Sequence, residues 1–190
     1  RGASKGEGKG NAFLSHIREV DAIVQVVRCF ESAPGGEEIT HVEGTVDPAR
    51  DIDTINMELI LADLQTVDSA LSKAERAAKS GDREAVARFE VLKKVRPILD
   101  AGKPAITLKI DDPEQKKALK GLSLITAKKV LYVANVNDDD PHGRGPLAMK
   151  CREHVKKLGG DPKHDVVPVC ARIESELAEL DDADKLEMLK

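Results

Sequence analysis

The chain has 190 residues and a formal net charge of −4, with charged side chains at 34% and hydrophobic ones at 41%. That length allows one substantial domain, or one domain carrying a smaller insertion. The charge excludes a general electrostatic drive toward nucleic acid or anionic membranes, although local basic patches stay open. Aromatics at 2% supply a base-stacking platform poorly, so the core falls to Leu, Ile, Val and Ala.

Cys29, Cys151 and Cys170 are odd in number and far apart, which fits a reducing compartment better than a disulfide framework. No apolar run approaches the roughly 20 residues that span a bilayer, and no signal peptide is visible. The cytoplasm is the default expectation. The sequence opens at Arg1 in a Gly-rich stretch and stops inside the helix-like run 184–190, so a piece of a longer protein is expected.

In chain order, residues 1–11 (RGASKGEGKGN) hold Gly2, Gly6, Gly8 and Gly10 together with Lys5 and Lys9. Glycine permits close backbone approach, so both a phosphate cradle and a plain surface loop fit this composition. It is not a Walker A loop: Gly8-Lys9 is followed by Gly10, Ala3 stands where the first glycine belongs, and no strand precedes it. Asn11 can cap a helix over 12–19, and 21–30 reads as a buried strand through Ala22–Val27. A connecting loop over 31–47 holds Pro34-Gly35-Gly36 and His41-Val42-Glu43-Gly44.

From Asp47-Pro48 a long helix is expected, with Pro in the first turn. Ile60, Leu64, Val67, Leu71, Ala74 and Ala78 alternate four- and three-residue steps, a heptad seam. Gly81-Asp82 stops it. A second helix over 83–101 places Ala85, Phe89, Leu92, Val95 and Leu99 inward, and Pro97 should kink it or end it early. The short turn predicts an antiparallel helical hairpin projecting from a sheet, either scaffold or partner-binding arm.

Residues 103–110 read as extended, in the manner of a small strand, and 113–121 as a short helix. The run Val130-Leu131-Tyr132-Val133-Ala134 is apolar at odd and even positions alike, which predicts a strand over 129–136 covered on both faces. A loop over 137–146, a helix over 147–158, a strand over 165–170 and a helix from 171 to 180 follow, with a last helical run over 182–190. Pro168 cannot donate to a ladder and puts its strand at a sheet edge. Strand, helical excursion, strand, helix, strand and helix make one half of a doubly wound α/β parallel sheet.

The chemical constellations are sparse. Cys151 and His154 form a C-x-x-H, with His164 and Cys170 beyond, but they fall on a helix and a strand end rather than on the turns of a zinc knuckle. There is no G-x-S-x-G, no protease-type cysteine context and no complete G-x-G-x-x-G after a strand. Glu37-Glu38 and Asp138-Asp139-Asp140 read as solvated loop carboxylates. What remains is Asn135-x-x-Asp138 at the carboxyl end of the central strand, where α/β sheets bind ligands. A carboxylate accepts from a ring N–H or exocyclic amine, and an amide donates and accepts, so the pair can read a purine edge. Cys170-Ala171, at the next strand end, would close that pocket with backbone N–H groups.

These residues resemble the Obg-like ATPases, the YchF branch of the P-loop GTPase-fold proteins. Residues 1–14 look like the segment after that family's D-x-x-G motif, its second switch, with Gly6, Gly8 and Gly10 in the switch loop. The likeness continues through 17–23, Val26-Val27-Arg28-Cys29-Phe30, His41–Gly44, Asp47-Pro48, 58–64, Leu131–Val136 and 170–174, and so covers essentially the whole chain. The resemblance implies a partial P-loop GTPase-like parallel sheet with an inserted antiparallel coiled-coil hairpin. It implies G-domain parts at 1–64 and 125–180, the inserted hairpin at 65–124, and the start of a C-terminal linker or helix at 181–190.

It also implies a cytosolic, monomeric ATP hydrolase that uses Mg²⁺ and binds ATP or GTP. Such a protein associates with ribosomes through the large subunit or the whole 70S particle, and engages neither membrane nor DNA. The family's N-x-x-E base-recognition motif maps onto Asn135, Val136, Asn137 and Asp138. Val136 stands where GTPases carry lysine, and Asp138 is one methylene shorter than the family's Glu, a departure that bears on ATP over GTP. Cys170 and Ala171 match the last nucleotide motif, with Arg172 where Lys is more usual. The Walker A loop, the Mg²⁺-binding threonine and the D-x-x-G are expected before Arg1, and a TGS domain after Lys190. Catalytic and metal residues are therefore not expected among these 190, which should neither hydrolyse ATP nor hold it or Mg²⁺ tightly. The alternative is a helical-hairpin module that binds ribosome, RNA or protein from an α/β scaffold.

Overall fold

The computed structural model describes residues 9–31, 44–182 and 184–185. Helix α1 (Lys9–Glu19) and strand β1 (Ala22–Arg28) come first, then helices α2 (Pro48–Ala78), α3 (Arg83–Asp100) and α4 (Pro113–Gly121). Strand β2 (Lys129–Asn135), helix α5 (Pro146–Lys157), strand β3 (Val166–Val169) and helix α6 (Ala171–Glu179) complete the order. The chain forms two compact units, one of Arg1–Ile23 with Asp53–Lys129, the other of Val24–Ile52 with Val130–Lys190. Most of the glycine-rich stretch, most of the loop over 31–47 and most of the run 182–190 lie outside the described residues.

In the first unit, helix ends fall where the sequence supplies oxygens for orphan N–H groups. Asp82 caps α3 by accepting from Ala85 N at 2.9 Å, and Asp112 caps α4 by accepting from Gln115 N at 2.9 Å. Gly81, at φ +76°, turns the chain between α2 and α3, a conformation that glycine adopts without a Cβ penalty. Ile60, Val67 and Ala74 of α2, flanked by Leu64 and Leu71, share one core with Val91, Leu92, Val95 and Leu99 of α3. The heptad seam of α2 is thus used. On α3 the buried face is wider than the sequence pattern gave. Ala87 and Val91 are buried while Ala85 and Phe89 are only half-buried, because α4 packs on α3 as well.

One expectation is narrowed here and another fails. Of the two outcomes expected at Pro97, an early end does not occur, since α3 runs on to Asp100. The missing N–H falls in the last turn, where Pro97 O still accepts from Ala101 N and Ile98 O from Lys103 N, with Gly102 at φ +69° making the exit. Residues 103–110 contain no strand. Ala105–Thr107 form a 3₁₀ turn, held by the bond from Ala105 N to Thr126 Oγ1 at 3.0 Å.

The polar centre of this unit is Asp63, fully buried on α2. Its Oδ1 accepts from Ile125 N and from the Arg18 guanidinium, each at 2.9 Å. Its Oδ2 accepts from Thr126 N at 2.7 Å and Thr126 Oγ1 at 2.8 Å. Four donors from α1 and the 3₁₀ turn Ile125–Ala127 offset the cost of taking a carboxylate out of water. Arg18 also donates to Ala62 O, Thr66 Oγ1 and the carbonyl of Ser123, a residue at φ +50°. Lys128 Nζ closes the end of α1 by donating to the carbonyls of Ile17, Arg18 and Val20.

The second unit holds most of a three-stranded sheet in the order β1-β2-β3, with β2 and β3 parallel and Asn135 opposite Val169. Beyond Lys129 every residue of β2 is buried or half-buried, as its continuous apolar run predicts. β1 differs from expectation. Val24 and Val26 are exposed at 59% and 66%, so only alternate residues, ending in Val27, face the core. Val27, Cys29, Tyr132, Ala134, Ala148, Cys151, Val155 and Val166 make that core. Cys29 and Cys151 are buried free thiols, and the hydrogen bond from its neighbour together with burial pushes the Cys29 pKa up. Asp47 Oδ1 accepts from Ala49 N and Arg50 N at the start of α2, while its Oδ2 takes the Lys150 ammonium of α5 at 2.8 Å. That ammonium first, then the backbone N–H groups, hold the Asp47 carboxyl below its ordinary value.

Replacing Asp63 by Ala leaves three buried donors of Ile125 and Thr126 without their acceptor and takes the carboxylate partner from Arg18. Urea unfolding of Asp63→Ala should show a loss of about 3 kcal/mol, the scale for removing one partner of a buried pair. Asp68→Ala, which breaks the exposed Arg96–Asp68 pair, should cost under about 1 kcal/mol.

Candidate functional site

Parallel pairing sets the geometry of the strand ends. Val136 N donates to Val169 O at 2.9 Å and Cys29 N donates to Asn135 O at 2.8 Å, so the carboxyl ends of all three strands lie side by side. Asn135 is half-buried at the last position of β2. Its Oδ1 accepts from Ala171 N at 3.2 Å, at the first residue of α6. The two segments singled out in the sequence, 135–138 and 170–171, are therefore brought together and tied by a direct bond.

They do not play equal parts. Val136 and Cys170 are buried at 3% and 6% and belong to the hydrophobic core, so they shape the strand ends from behind. Asn135 and Asp138 carry the polar groups. The Asp138 carboxylate, 40% exposed, is met by Arg172 Nη1 at 3.2 Å, and Arg172 Nε holds Glu176 Oε1 at 2.9 Å. Sequence reasoning noted Arg172 only as an unusual residue in its position. Its partner lies 34 residues away, a pairing that no local pattern reveals.

Asp140 has a structural role that its place in the aspartate run does not reveal. Its Oδ1 accepts from Arg144 N and its Oδ2 from Gly145 N, each at 2.7 Å, an Asx-type closure of the loop leading into α5. Gly143 sits at φ +61°, and a Cβ there would meet the Pro168 Cβ at 2.7 Å. The loop is thereby fastened to β3, and the triple-aspartate run is in part structural. The spacing of Asp140 ahead of Gly143 and Gly145 was the available signal.

Of the switch-loop glycines, Gly6 and Gly8 lie outside the described residues, as does Lys5. Gly10 falls within α1, which begins at Lys9 rather than after Asn11. Cys151 of the C-x-x-H faces the core, and among the described residues no group of three or more His, Cys, Asp or Glu is placed to hold a metal. No described helix is long and apolar enough to cross a membrane. A groove of about 530 Å³ between α1 and α2 is lined by Leu14, Arg18, Gln65, Thr66 and Ser69 among others. It lies in the first unit and contains none of the strand-end residues.

A parallel sheet with helices after β2 and β3, and polar groups gathered at the strand carboxyl ends, is the arrangement of the nucleotide-binding α/β proteins with a P-loop GTPase-like fold. In sequence and fold this chain belongs, within that class, to the YchF branch of the Obg-like ATPases. It is 47% identical over 188 residues, 97% of its length, to the "Ribosome-binding ATPase YchF" of Bacillus subtilis. It is 36% identical over 196 residues to "Obg-like ATPase 1" of Saccharomyces cerevisiae. The solved structure of the Schizosaccharomyces pombe YchF GTPase covers 96% of the chain with a TM-score of 0.76 at 31% identity. The matches take up 49%, 48% and 48% of those proteins, so the chain spans about half the length of the relatives it matches. No family model matches it.

Gly143→Ala should lower stability by about 2 kcal/mol in thermal or urea unfolding, through left-handed backbone strain plus the overlap with Pro168. Amide shifts of 140–146 and 166–169 should move most in its NMR spectrum.

Proposed function

We propose that the chain provides the base-reading half of a purine-nucleotide site and a helical arm within a ribosome-associated ATP hydrolase. The bond between Asn135 and Ala171, joining the ends of β2 and β3, is the observation that carries this reading. It gathers an amide, a carboxylate and a helix start at the place where α/β sheets take their ligands. Asn135 offers amide N–H groups to a ring nitrogen, and Asp138 accepts from a base N–H or exocyclic amine. Ala171 forms the second wall. The names borne by the relatives, ribosome-binding ATPase and Obg-like ATPase, agree with this assignment.

On this reading residues 1–64 and 125–180 are parts of a nucleotide-binding domain, and 65–124 an inserted antiparallel helical hairpin that serves as the partner-facing arm. Residues 181–190 begin the linker that follows. Gly6, Gly8 and Gly10 belong to the switch loop. The protein is a cytosolic monomer whose partner is the ribosome, through the large subunit or the 70S particle. ATP, or GTP, is the nucleotide, and Mg²⁺ is its companion ion. The described donor set does not form a Mg²⁺ site, so no metal ligand and no chemical step is assigned to these residues. The 190 residues also contain no G-x-x-x-x-G-K-[ST] loop, and phosphate and metal contacts supply most of the binding and rate in this class.

A second reading rests on charge. Over residues 65–124 Lys and Arg outnumber Asp and Glu, although the whole chain is net negative at −4. The arm would then be the functional element, a module for RNA or an acidic protein surface, with the sheet as its scaffold.

Nucleotide titration of the full-length protein separates the two. Asn135→Ala should weaken ATP binding about tenfold, the scale of one or two lost polar contacts to the base. Unchanged affinity, with ribosome binding abolished by charge reversal on the arm, would favour the second reading. The isolated 190-residue chain should show no ATP turnover above background in a phosphate-release assay.

A further inference from the structure

Resting on the base-site reading above, we propose that Arg172 is a specificity-determining residue that biases the site against guanine by occupying Asp138. The geometry is direct. Arg172 is the second residue of α6, and its guanidinium is gripped on two sides, by Glu176 through Nε at 2.9 Å and by Asp138 through Nη1 at 3.2 Å. The i,i+4 pairing with Glu176 adds a second contact that orients the guanidinium fork toward the end of β2.

The consequence follows from how the two purines differ. Guanine presents two adjacent donors, its ring N1–H and its exocyclic amine, and grips a carboxylate best when both oxygens are free. Adenine has an acceptor at that ring position and a single exocyclic amine, so one carboxylate oxygen is the most it can use. With Arg172 Nη1 on Oδ2 and the charge offset, Asp138 keeps one open oxygen for the single amine of adenine, while the second donor of guanine must share Oδ2 with the guanidinium. Discrimination arises because the wrong base meets a weakened acceptor for one of its two donors. Val136 is buried at 3%, so the residue in the position of the GTPase lysine is turned into the core. Arg172 is therefore the cation that meets the polar strand end.

Arg172 and Asp138 are 52% and 40% exposed, so the pair is modest in energy and its loss should leave the fold intact. The test is titration of ATP and of GTP against the full-length protein carrying Arg172→Ala, Arg172→Lys or Asn135→Ala, with circular dichroism as the check on folding. Arg172→Ala should shift the GTP-to-ATP affinity ratio toward GTP by roughly fivefold, the scale of one exposed ion pair, and mainly through tighter GTP binding. Arg172→Lys should shift it less, because an ammonium can still reach Asp138 but lacks the fork that Glu176 orients. An unchanged ratio in Arg172→Ala, or equal weakening of both nucleotides, overturns the proposal while Asn135→Ala still weakens both. If Asn135→Ala weakens neither, the base-site reading itself falls, and the assignment of Arg172 with it.

Discussion

One buried carboxylate organises the helical unit. Asp63 lies on α2 with no exposure, and the donors that satisfy it come from residues 45, 62 and 63 positions away in the sequence. Arg18 of α1 supplies one donor and the 3₁₀ turn Ile125–Ala127 the other three, so the carboxylate is satisfied only when α1, α2 and that turn are all in place. An apolar contact tolerates sliding by a fraction of a turn. A four-donor carboxylate in a dry environment does not, because each misplaced donor leaves polar groups unmet. The register of α2 against its neighbours is thus set by polar geometry, and the heptad seam fills the space that this geometry leaves.

The seam and the strands were legible in the sequence because they rest on periodicity. The steps from Ile60 to Ala78, the apolar run through Val130–Ala134 and Pro168 as the mark of an edge strand each carry a local signal, and the observed elements differ from expectation by one to three residues at most ends. Reading failed where a distant neighbour decided the outcome. Residues 103–110 looked extended, yet Ala105 N is captured by Thr126 Oγ1, and the segment closes into a 3₁₀ turn. Pro97 could kink the helix or end it early, and it falls in the last turn, where its missing N–H costs little and the helix continues to Asp100. The run Ala22–Val27 read as a buried strand, while Val24 and Val26 stand exposed.

The candidate site divides in the same way. Asn135, Asp138 and the segment 170–171 could be named from a polar break after a buried strand and from family resemblance. The roles within the group could not. Which residues face the core, which carboxylate closes the loop and which carboxylate meets a cation depend on contacts across tens of residues. Arg172 and Asp140 belong to that class. Position in a motif marks a place in the fold; the partner a side chain finds there decides what it can do.

The fastening of Gly143 onto Pro168 has a consequence for how the molecule behaves among its own copies. The carbonyls of Asp165 and Val169 face β2, so by the alternation of a strand the backbone at Pro168 faces the opposite way, toward the open margin of the sheet. A proline there offers no N–H to an incoming strand, and the loop that packs on it narrows the approach. That margin is chemically blunted against templated pairing. The close approach that pins Gly143 in its turn thus falls on the residue that leaves this margin without a donor for a further strand.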